Sequence, residues 1–136
     1  MSALEAAYKA STYQVMLPGG ALNVRIGESN PALDAFLSRM SVGGGVFICA
    51  VNPASRILTD VENADRHARL CRELSKASLS YFEGEALADA GDWPGEVGVL
   101  VIGVSEAEAK GMGLRYGQNA VVWVAPGELP RLVWCL

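Results

Sequence analysis

The chain has one histidine and three cysteines in 136 residues, and none of the cysteines stands in a CxxC pair. A serine triad would have to use His67, and no GxSxG-type elbow accompanies it. A zinc site with a single imidazole needs an unusual ligand set, so no metal and no cofactor is assigned from the sequence. Cys49, Cys71 and Cys135 cannot all pair within the chain; they are read as reduced, partly buried thiols that behave as small hydrophobes. Basic runs are also missing, and the net charge is −4, so general nucleic-acid binding is not expected. The longest apolar runs, such as residues 99–102, are strand-sized, against the roughly 20 residues a membrane helix needs. No membrane partner is therefore expected. The opening MSALEAAYKAS has an early acid and no basic segment ahead of an apolar core, which argues against a secretory signal and for a cytoplasmic location. A Walker-type loop is absent too, since Gly43-Gly44-Gly45 precedes a strand instead of a helix.

What is present is a globular composition, 51% hydrophobic and 19% charged, in a length suited to a single domain over residues 1–136. Charge is unevenly spread. Arg56, Arg66, Arg69, Arg72 and Lys76 cluster mid-chain, and residues 77–109 hold acids but no Lys or Arg. A solvated basic helix face beside an acidic loop accounts for this.

In chain order, residues 3–10 form a short helix with Ser2 as cap, and residues 12–17 and 22–26 make a hairpin around Pro18-Gly19-Gly20. Asn30-Pro31 opens a helix in cap-then-proline order. The run 46–51 is apolar throughout and reads as a central strand covered on both faces. Thr59-Asp60-Val61-Glu62 fits a capping box for the next helix, with Val61, Ala64, Ala68, Cys71 and Ser75 as its inward stripe and Glu62, Arg66, Arg69 and Glu73 opposite. Asn63 and His67 fall at the boundary, beside Leu70 and Leu74. Strands follow at 79–87 and 97–104, then a helix from the second capping box at Ser105, then strands at 120–124 and 131–135.

The element order predicts an α+β fold: a ferredoxin-like βαββαβ core with an added N-terminal hairpin and helix and a C-terminal strand, the sheet mostly antiparallel. That topology brings the turn after Val51, the amino end of the 59–76 helix, the Asp92-Trp93 loop and Gln118-Asn119 to one edge. The edge gathers Asn52, Ser55, Asn63, Asp92, Trp93, Gln118 and Asn119. Each has a bland use as well. Asn52 before Pro53 can close an Asx turn, Ser55 can be a turn hydroxyl, and Trp93 can anchor a loop. Buried amides need partners, at about 1–3 kcal/mol for each one left unsatisfied, so they either lock loops together or bind something. The amino end of the 59–76 helix, with Arg56 or Arg66, offers a place for an anion.

The run VFICAVNPASRILTDVENADRHARL resembles the FITAxNP…S…L…ENxxR block of a small bacterial family catalogued as a domain of unknown function, number three-two-nine-three. GDWPGEVGVLVIGVSEAEAKGMGLRYGQNAVVW resembles its second block, with DWP, a GxS strand-to-helix junction and (F/Y)GQNAVVW. The family's usual Thr or Ser after Phe-Ile stands here as Cys49, which removes a hydroxyl from that position. The resemblance implicates Asn52, Ser55, Glu62, Asn63, Arg66, Asp92, Trp93, Gln118 and Asn119, and it implies no activity. The leading expectation is a binding module whose polar edge takes a small, anionic ligand or a protein segment, with no catalytic residue assigned. The alternative is a hydrolase of a phosphate or nucleotide-like substrate with Asp92 or Glu62 as base. A third is a homo-oligomer paired through the apolar strand 132–136.

Overall fold

A computed structural model describes residues 2–136. Its elements run α1 (Ala3–Lys9), β1 (Ser11–Leu17), β2 (Gly20–Val24), α2 (Pro31–Arg39), β3 (Gly45–Ile48), α3 (Asp60–Lys76), β4 (Tyr81–Ala88), β5 (Glu96–Ile102), α4 (Glu106–Arg115), β6 (Ala120–Val124) and β7 (Arg131–Trp134). The helix ends follow from local chemistry. Ser2 and Asn30 each accept the backbone N–H three residues on, and Thr59 and Ser105 each complete a reciprocal capping box with Glu62 and Glu108. The hairpin turns at Pro18-Gly19, with Leu17 paired to Gly20.

Seven strands form one sheet in the order β2-β1-β4-β5-β3-β6-β7, every neighbouring pair antiparallel. The fold is α+β. Strand β3 is buried at all four positions, as its apolar run requires. Side-chain alternation along the central strands divides the core in two. Val46, Ile48, Val99, Val101 and Val121 pack with Leu70 and Leu74 of α3 and Ala109 of α4. Phe47, Leu100, Ile102, Val122 and Val124 pack on the other face with α2 and with Tyr13, Val15 and Val24. On this second face the sheet curls. Gly27 N–H, just after β2, donates to the Pro130 carbonyl just before β7 at 2.8 Å, although β2 and β7 are the two ends of the sheet. The Tyr8 and Trp134 rings meet edge to face at 6.1 Å. Close backbone approach within the sheet needs Gly84, where a Cβ would run into the Gln14 carbonyl on β1.

The inward stripe of α3 differs from the one expected. Val61 is 72% exposed, and Ala64, Ala68 and Ser75 are also exposed. The line that faces the protein is Asn63, Arg66, His67, Leu70, Cys71 and Leu74. The two leucines supply the apolar burial, and the polar residues at the amino end turn inward because unpaired backbone groups wait for them there. Arg66, expected on the outer face, is half-buried. Among the described residues no helix is long and apolar enough to cross a membrane.

Candidate functional site

The curled face of the sheet opens at one end into a cavity of about 410 Å³. Its floor comes from Phe47 and Cys49 at the end of β3 and from Ala120 and Val122 of β6. Tyr13, Ala86 and Ala88 form one wall, and α1 covers it with Ala3, Leu4, Ala7 and Tyr8. The polar rim is Asn52, Ser55, Trp93, Glu96, Gln118 and Asn119. A hydrogen bond from the Tyr13 hydroxyl to the Tyr8 carbonyl at 3.1 Å ties the cover to the wall. Burial pushes the Tyr8 hydroxyl up to about 12 and raises Tyr13 as well.

Asn52 is the hub of the rim. It is 6% exposed and adopts a left-handed backbone at φ 46°, as do Ala54 and Ser55 at 52° and 61°. Such conformations cost energy in non-glycine residues and persist only where surroundings impose them. Here the surroundings are explicit. The Asn52 side-chain oxygen accepts Leu58 N–H at 3.0 Å and the Asn63 amide at 2.9 Å. The Asn63 oxygen accepts Asn52 N–H at 3.0 Å, and Ala54 N–H donates to the Gly117 carbonyl at 2.8 Å. The remaining Asn52 donor goes to Glu96 Oε2 at 2.7 Å.

Glu96 is the acidic group of the cavity. Trp93 Nε1 also donates to Oε2, at 3.2 Å, while Oε1 has no hydrogen-bond partner among the described residues. Desolvation raises its pKa above the ordinary carboxylate value, and the bonds from Asn52 and Trp93 only partly offset this. Among the described residues no Lys, Arg or His lines the cavity. Cys49 beside it is held well above a normal thiol value by burial, so it is an inert wall and not a nucleophile.

The other residues singled out from the sequence divide by use. Gln118, 7% exposed, donates to the Val51 and Tyr116 carbonyls at 3.0 and 3.2 Å. Arg66 donates to the Ala50 and Tyr116 carbonyls at 2.5 and 2.6 Å. These two side chains clamp the β3 exit to the β6 entry. Asn119 donates to the Ser55 hydroxyl at 2.9 Å across the same junction. Asn63 and Arg66 lie behind the cavity and do not line it. Asp92 is exposed and stands outside the lining, because the loop presents Trp93 and Glu96 inward instead. Glu62 is spent on its helix: Thr59 donates to it from both backbone and side chain, at 3.1 and 2.8 Å, which lowers its pKa. The capping box thus uses the Thr59 and Glu62 N–H groups at the amino end of α3, and Arg66 is turned toward the Ala50 and Tyr116 carbonyls.

Glu96, Tyr8 and Tyr13 were not among the sequence candidates. Glu96 did carry a signal, since it is an acid in register with Leu100 and Ile102 at the head of an apolar strand. A family model described as a protein of unknown function, DUF3293, matches residues 48–121, more than half of the chain. The match runs from the last residue of β3 to the second residue of β6 and includes Asn52, Trp93, Glu96 and Gln118. No curated protein and no solved structure matches the chain.

Proposed function

The chain belongs to the DUF3293 family of proteins of unknown function, and from that premise we propose that it is a small-molecule-binding module. The mouth of its curled sheet takes a largely apolar ligand that presents an amino or other N–H donor group to Glu96. One observation carries this reading. The cavity is lined by aromatic and aliphatic groups, and among the described residues its sole charged side chain is a carboxylate with one oxygen fixed and the other without a partner. Apolar pockets with a few convergent polar groups are the usual form of ligand sites. A donor at Oε1 would compensate the desolvated carboxylate, whereas an anion would meet it with no cation to help.

The scaffold for this site is a ferredoxin-like core, β3-α3-β4-β5-α4-β6. The order β4-β5-β3-β6 and the packing of α3 and α4 on one face support it. A hydrolase of phosphate-like substrates is less well supported. Glu62 caps a helix, Asp92 is outside the cavity, and no basic residue lines it to hold a phosphate.

The test is a thermal-shift series with benzylamine, benzamidine and tryptamine against carboxylic acids of matched size. Ligands that bind only the folded state raise its stability by mass action. The amines are expected to raise the midpoint of the wild type and not of Glu96→Gln, and the acids to raise neither. Acids that shift the wild type, or amines that shift Glu96→Gln equally, would overturn the assignment.

A further inference from the structure

On the opposite face of the sheet, α3 brings a second set of reactive side chains against β4. His67 and Cys71 are one helical turn apart, and Glu83 reaches them from the strand. Nε2 of His67 lies 3.6 Å from Cys71 Sγ and 2.7 Å from Glu83 Oε1. The three ligand atoms fall within 4.8 Å of one another. We infer that His67, Cys71 and Glu83 form a binding site for a zinc-class divalent cation, separate from the Glu96 cavity.

Two features support this. The first is distance. A tetrahedral ion with Zn–N of about 2.0 Å and Zn–S of about 2.3 Å separates its N and S ligands by about 3.5 Å, close to the 3.6 Å between His67 Nε2 and Cys71 Sγ. The N···O separation in such a site is about 3.4 Å, so Glu83 must back away by about 0.7 Å from its 2.7 Å contact with His67. Its side chain is 62% exposed and free to do so by rotation. The second is charge. Glu83 forms no ion pair with Lys or Arg among the described residues, and its one partner is His67.

The donor set narrows the ion. One imidazole, one thiolate and one carboxylate suit zinc-class metals, and the sulfur disfavours magnesium and calcium. Three protein ligands leave the fourth position of a tetrahedral ion to water. The thiol gives up its proton on binding, so each ion bound releases one proton to the buffer.

The experiment is titration of the metal-free, reduced full-length chain with cobalt(II), followed by absorption spectroscopy. One equivalent is expected to bind, with a thiolate-to-cobalt charge-transfer band and the strong visible bands of a tetrahedral site. Cys71→Ser should abolish the charge-transfer band. His67→Gln and the exposed-site variant Glu83→Gln should weaken binding by more than the roughly 10–100-fold typical of losing a partner behind a ligand. Cys49→Ser and Cys135→Ser should leave the spectrum unchanged. Failure of the wild type to take up cobalt would reduce the cluster to a His67–Glu83 hydrogen bond and overturn the site. A charge-transfer band that survives Cys71→Ser and disappears in Cys49→Ser or Cys135→Ser would overturn it too.

Discussion

Replacing Asn52 by alanine tests whether the rim is built as described. The substitution removes a charge-assisted bond to Glu96 at 2.7 Å and two bonds accepted from Leu58 N–H and the Asn63 amide. It also puts alanine at φ 46°. A bond to a charged group is worth about 1.5–3 kcal/mol and a neutral one about 1, and alanine in the left-handed region adds about 1 more. The expected loss is therefore about 4–6 kcal/mol, a large share of the roughly 5–15 kcal/mol of a typical domain. Asn52→Gly loses the same bonds without the backbone strain, so it should recover about 1 kcal/mol of that. Asn52→Asp separates the bonds from each other. It keeps the acceptor for Leu58 and Asn63 but sets a second carboxylate against Glu96, so the two must share a proton. One of the pair's two apparent pKa values then lies above that of ordinary carboxylates, and this variant should be unstable at neutral pH and regain stability as pH falls through it. Urea unfolding followed by tryptophan fluorescence measures all three, with buried Trp123 as the reporter. A loss under about 1 kcal/mol for Asn52→Ala, or an Asn52→Asp protein as stable as wild type at pH 7, would refute this account of the rim.

Two further outcomes follow from the same geometry. Glu96 has a folded pKa above its unfolded value of 4.5, so its ionisation costs stability once the pH exceeds that range. Compared with Glu96→Gln, the wild type should therefore gain stability as pH falls through the raised value toward 4.5, and the gap should be widest at neutral pH. The comparison matters because Glu62, Glu73, Asp89 and Glu108 have lowered pKa values and pull the whole protein the opposite way on acidification; a gap that widened in acid would contradict the placement of Glu96. Gly84→Ala should fail differently, because its Cβ would meet the Gln14 carbonyl. It should prise β1 from β4, with a loss of about 1–3 kcal/mol or more from overpacking and faster amide exchange confined to residues on those two strands.

Much of the fold was legible in the chain because the signals are local. Caps at Ser2, Asn30, Thr59 and Ser105 sit where the helices begin, and the first half of the apolar run at 46–51 falls in a strand, Gly45–Ile48, buried on both sides. The gathering of Asn52, Ser55, Trp93, Gln118 and Asn119 followed from strand directions alone. The stripe of α3 did not, because helical spacing ranks faces by apolarity. Arg66, ranked as surface, is instead drawn in by the Ala50 carbonyl, and Asn63 and His67 at the boundary meet the Asn52 N–H and the Glu83 carboxylate that other segments bring to them. Asp92 and Glu96 show the same limit. Both are acids near one loop, and only the pleat of β5, with the curl that closes over it, turns Glu96 inward and leaves Asp92 in solvent.

Composition and pattern by themselves determined the class of fold, the helix ends and the polar residues near the sheet's edge, since each depends on interactions within a few residues. The curl of the sheet, the cavity beneath α1, the committed bonds of Arg66 and Gln118 and the partnerless oxygen of Glu96 depend on contacts between residues far apart in the chain. Those contacts exist only once the strands and helices that carry them have been brought together, and so the tertiary structure alone decided which polar groups hold the protein together and which remain for a ligand.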